Sequence, residues 1–207
     1  MNVKNPWVTR IAGLCGVVGP LSAIVLALVA LAYSSWFNWE GNTLGDLGLH
    51  GASVFFNVGL ILVGILNFPF AIGVRRYLGS SGLSSFGTIL LVLGGISLIV
   101  VGVVTEATPA IRGVVALIYF WIFPAGLILL GYVMLRCAAR NTGLFTIFAG
   151  ITAAVLLFSS HWVLQSWAVP EILEALIMAG WSMTLGLRLL LNSSLGEDRS
   201  LLRSQSP

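Results

Sequence analysis

Of the 207 residues, 58% are hydrophobic and only 8% are charged, whereas a typical globular domain carries about 25% charged residues; a water-soluble fold of this size could not cover so much apolar surface. The formal net charge of +3 does not indicate nucleic acid, because the ten Lys and Arg are scattered in ones and twos at the ends of apolar stretches, as flanks that orient membrane helices are. Cys15 and Cys137 lie inside or at the end of such stretches with no redox or metal spacing, and both are read as packing residues.

In chain order, Lys4 and Arg10 precede a first apolar stretch, Ile11 to Trp36. It outruns the apolar core of a signal peptide and lacks a small-x-small cleavage site, so it is read as a retained helix, bent at Gly19-Pro20. The second stretch is Ala52 to Val74. Before and within it, Asp46, His50, Ser53 and Asn57 step by four, three and four, which places them on one stripe if the helix starts early with Asn42 as its N-cap. The third stretch, Ser84 to Thr105, carries Gly87, Gly94 and Gly102 as expected contact points with neighbouring helices, and Glu106 ends it. The fourth, Gly113 to Leu135, is opened by Arg112 and bent at Pro124. The fifth runs from Thr142 to Trp167, with His161 and Gln165 near its end, and the sixth from Ile172 to Leu191, with Glu171 and Glu174 at its start.

Each stretch is close to the roughly 20 residues needed to cross about 30 Å of hydrocarbon, and none shows the alternation of a membrane barrel strand. The expectation is an all-α polytopic membrane protein: one bundle of six transmembrane helices within residues 1–191, followed by a flexible tail at 192–207. Lys4, Arg10, Arg75, Arg76, Arg136, Arg140, Arg188, Arg199 and Arg203 all fall on one face and only Arg112 on the other. The positive-inside rule makes the first face, with both termini, cytoplasmic and predicts a multi-pass protein of the cell membrane.

The remaining polar residues gather toward the outer side. Asp46, His50, Asn57, Glu106, Arg112 and His161 form the candidate ligand-binding set, because ionisable and amide side chains in apolar helices are expensive to expose to lipid and face the bundle interior. An outward-facing pocket built from them would bind a lipid headgroup or another small amphiphile, so membrane lipids are the expected partners. The plainer reading is that Glu171 and Glu174 complement a helix dipole and that Glu106 and Arg112 simply pair. No HExxH, HxxxH or third His is present, so neither a metal site nor a cofactor is expected. Asp46, His50 and Ser53 have the residue types of a catalytic triad, but one stripe constrains such geometry poorly. Whether the protein is an enzyme stays open. An intramembrane hydrolase or lipid-modifying enzyme, with or without a metal, is the alternative. A small-solute transporter ranks last, since no internal repeat is evident and the inner halves of the helices offer little beyond Asn67.

Asn42-Thr43-Leu44-Gly45-Asp46-Leu47-Gly48 and Phe56-Asn57-Val58-Gly59 resemble the Ser-Asp-Leu-Gly and Phe-Asn-x-Gly segments of the domain-of-unknown-function 998 family. Gly102-Val103-Val104-Thr105-Glu106 is similar to that family's Gly-x-Phe-x-Glu segment. Gly45 stands where the family usually has Ser, Arg112 where it often has His, and the family's Glu-Arg pair near the sixth helix is reduced to Glu171 and Glu174. The resemblance implies a six-helix bundle with Asp46, Asn57 and Glu106 near a common site, and it implies no activity.

Overall fold

Long uncharged runs dictate the secondary structure, because a backbone in lipid must satisfy its own hydrogen bonds and a single segment does so only as a helix. A computed structural model describes residues 6–79, 81–104, 108–137, 139–159 and 168–204. The helices are α1 (Pro6–Ala32), α2 (Ser53–Leu78), α3 (Gly82–Val103), α4 (Pro109–Arg136), α5 (Arg140–Ser159) and α6 (Ala168–Ser204), with a short 3-10 helix at Leu44–Gly48. Among the described residues, six helices are long and apolar enough to cross a membrane.

Local chemistry explains the ends. Gly79, at φ 79°, stops α2 in a conformation that side chains disfavour. The Ser81 hydroxyl accepts the Ser84 amide at 3.1 Å and starts α3. Proline occupies the first position of α4, where its missing N–H has no partner to lose. Pro20 and Pro124 both lie inside continuous helices.

Three expectations are corrected. First, α2 begins at Ser53 and does not extend back to Asn42, because Gly51, at φ 52°, turns the chain between the 3-10 helix and α2. Asn42 is therefore no N-cap: its amide nitrogen donates to Asp46 at 3.3 Å and its carbonyl oxygen accepts the Asn38 amide at 2.9 Å. Second, the sixth helix, expected to end at Leu191, is helical through Ser204. Third, Cys15 packs on the core as expected, but Cys137, just past α4, is exposed.

Each helix packs beside its sequence neighbours, and α6 closes the ring between α5 and α1. The ring is filled by aromatic side chains: Trp181 of α6 meets Phe70 of α2 and Phe123 of α4 edge-on at 5.7 and 6.1 Å between centroids, and Tyr119 adjoins Phe123 at 5.4 Å. The Trp181 indole N–H is satisfied by the Thr146 hydroxyl at 3.0 Å. Helices approach closely at glycine, as association in lipid requires. A Cβ at Gly64 would lie 2.7 Å from the Gly95 carbonyl, and one at Gly87 or Gly94 would meet Leu130 or Phe123 of α4 at 2.7 Å. At the same α2–α3 contact, Asn67 donates to the Leu91 carbonyl at 2.6 Å, which satisfies its amide away from lipid.

Candidate functional site

The end of the bundle where α1, α3 and α5 finish and α2, α4 and α6 begin carries Glu40, Asp46, Glu171 and Glu174, and we call it the outer end after the cation rule. There the α1–α2 connection folds back over the mouth of the ring. Its Asn-rich turn braces itself: Asp46 accepts the Thr43 amide at 2.8 Å, and Asn38 accepts the Glu40 amide at 3.0 Å. Leu47, almost wholly buried with Ala30 and Phe56, anchors the 3-10 helix onto α1 and α2.

The half-buried Asn57 of α2 and the buried Arg112 of α4, whose helices flank α3, then hold that segment. Asn57 of α2 donates to the Gly48 carbonyl at 2.9 Å, and its own oxygen accepts Nη2 of Arg112 at 3.0 Å. Arg112 is 3% exposed. Its Nη1 donates to the Val101 carbonyl at 2.6 Å and the Val104 carbonyl at 3.0 Å, capping the C-terminal end of α3, where carbonyls lack intrahelical partners and a cation is favoured. Gly48 is required at this point, because a methyl group there would overlap the Arg112 guanidinium and the Asn57 oxygen. From α6, the Glu171 carboxylate accepts the Leu44 amide at 2.6 Å.

Beneath this clamp, one turn further along α6, Glu174 is 0% exposed. Among the described residues, neither of its carboxylate oxygens, nor Nε of Arg112, has a hydrogen-bond partner. The charges sense one another: Asp46 lies within electrostatic reach of Arg112 and of Glu171, Glu171 of Glu174, and Glu174 of the Tyr119 hydroxyl. Among the described residues, Arg112, Asp46, Glu171 and Glu174 thus form a chain of electrostatic neighbours at the end of an apolar bundle, with Asp46 the acid that reaches the cation.

Of the residues expected from sequence, Asn57 and Arg112 are bonded directly and Asp46 adjoins them. They meet through tertiary folding, because the turn at Gly51 breaks the single stripe. His50 is exposed with its ring 5.0 Å from Trp36 and takes no part in the hydrogen-bonded set. Glu106, His161 and Gln165 lie outside the described residues. The sequence gives Gly48 no role, and it leaves Glu171 and Glu174 either as pocket residues or, in the plainer reading, as complements to a helix dipole. A signal was present: two acids three apart share one face of an apolar helix. Among the described residues, no three His, Cys, Asp or Glu side chains converge as metal ligands would.

Residues 17–188 match the family described as "Protein of unknown function (DUF998)". No curated protein matches the chain, and no solved structure does.

Proposed function

The chain belongs to the DUF998 family, whose description assigns no activity, and from that premise we propose that it binds an amphiphile, its headgroup held at the outer end by the Glu174, Glu171 and Arg112 set. Glu174 carries this reading. A buried carboxylate without a partner is unfavourable by several kcal/mol in an apolar interior, and such groups mark sites more often than scaffolding. A headgroup that offers an N–H, O–H or ammonium donor would satisfy it. The depth suits an amphiphile: on the flanking faces of α4 and α6, Val114, Leu117, Leu173 and Leu176 are exposed apolar side chains available to an acyl chain.

Native mass spectrometry of the detergent-purified protein tests the reading. The wild type is expected to retain a co-purifying lipid that Glu174→Gln loses, while the variant melts no lower than the wild type, since the substitution removes a buried unpaired charge. Lipid retention by Glu174→Gln equal to that of the wild type would overturn it.

From the distribution of Lys and Arg we further propose that the protein lies in the cell membrane with both termini cytoplasmic. In a Cys137→Ser background, which removes the exposed native thiol, cysteines introduced as Gly82→Cys and Glu197→Cys are expected to label only from the cytoplasmic side and Gly41→Cys only from outside; the reverse pattern would invert the site's orientation.

A further inference from the structure

At the opposite end of the bundle, where α2 and α4 finish and α5 starts, an open depression of about 460 Å³ is lined by Tyr77, Leu78, Cys137, Arg140, Thr142 and Arg188 among others, with no Asp or Glu among the described residues of its wall. Its position at the span ends puts it at headgroup depth. Arg188 donates to the Thr142 hydroxyl across the α5–α6 contact, so this guanidinium is oriented by the protein. Arg140, exposed at the first position of α5, faces the same space. The neighbouring cation is engaged elsewhere: Arg136 donates through Nε and Nη2 to the Tyr132 hydroxyl at 3.1 and 2.6 Å.

We propose that this depression binds a phosphate-bearing anion, and that in the membrane the anion is the headgroup of an acidic phospholipid. Two guanidinium groups match the geometry of phosphate oxygens, which a planar fork can bind in pairs. The side chains of Tyr77, Asn141 and Thr142 add neutral donors. Basic pockets between membrane helices on the cytoplasmic side hold anionic headgroups by this chemistry. The site is independent of the outer set and would stand if that reading failed.

Cys137 supplies the readout, because its free thiol is exposed in the depression wall. The full-length protein is alkylated with a maleimide in detergent micelles doped with either phosphatidylglycerol or phosphatidylcholine, or with inorganic phosphate added, and the Cys137 peptide is quantified by mass. Phosphatidylglycerol is expected to slow labelling about tenfold relative to phosphatidylcholine, as two cations near an anionic headgroup would produce. The Arg140→Gln, Arg188→Gln double variant should label equally in both, and Arg140→Gln alone should show intermediate protection if the double variant melts early. Protection by phosphate alone would show that the free group suffices; protection by the lipid only would fix the lipid as ligand. Equal rates in the two lipids would overturn the proposal. So would protection that survives the double variant, or an equal slowing at Gly82→Cys, a position at the same end with open space around it.

Discussion

The outer end and the interior of this bundle are held together by opposite means. In the interior, Phe70, Phe123 and Trp181 interlock and Gly64 meets Gly95, so cohesion is a matter of shape. At the outer end, a turn that covers the ring is fixed by Asn57, Arg112 and Glu171, so cohesion there is a matter of charge and hydrogen bonding. Packing alone can join helices in lipid. A buried cation, a buried acid in Glu174 and a half-buried one in Glu171 are therefore more than the bundle needs, and their surplus directs attention to ligand recognition.

The contrast can be broken most forcefully at Arg112. Arg112→Ala leaves Asn57 and two α3 carbonyls without their donor and the acids without their cation, and should cost about 3–5 kcal/mol; a melting curve in detergent matching the wild type would show that charge does not hold the outer end. Next comes Gly48→Ala, which forces a methyl group into the clamp and should cost about 1–3 kcal/mol. Hydrogen exchange sharpens that experiment: protection should fall at the Leu44 to Leu49 amides while α2 and α3 stay protected, and a uniform loss would mean that the two regions are one unit. The smallest effect is expected inside. Trp181→Phe keeps the ring contacts and loses one hydrogen bond to Thr146, about 1 kcal/mol, and a loss as large as that at Arg112 would erase the distinction.

How far the sequence carried the description follows the same division. Helix number and order were legible because an uncharged run of about 20 residues has one stable form in a bilayer. Gly87 and Gly94 could be assigned to contacts because small residues have few other uses there. The clamp was legible only in part. Asn57 and Arg112 declared themselves as polar groups in apolar surroundings, but Gly48 is a short-range steric requirement of a side chain 64 positions later in the sequence, and no local pattern records it. Gly51 misled the reading of Asp46 and His50, since spacing cannot reveal that one left-handed residue interrupts a helix.

Ring closure by the last helix also sets an order of assembly. Glu171 follows its partner Leu44 by 127 residues, and Gly13 and Gly16 of α1 meet Gly186. During synthesis, five helices are in place while the glycine face of the first still lacks its neighbour. The outer turn remains unfastened on its α6 side until α6 is made. A chain stopped between α4 and α6 keeps the outer turn without Glu171 and leaves an open groove facing lipid, a form that quality control can distinguish from the finished ring.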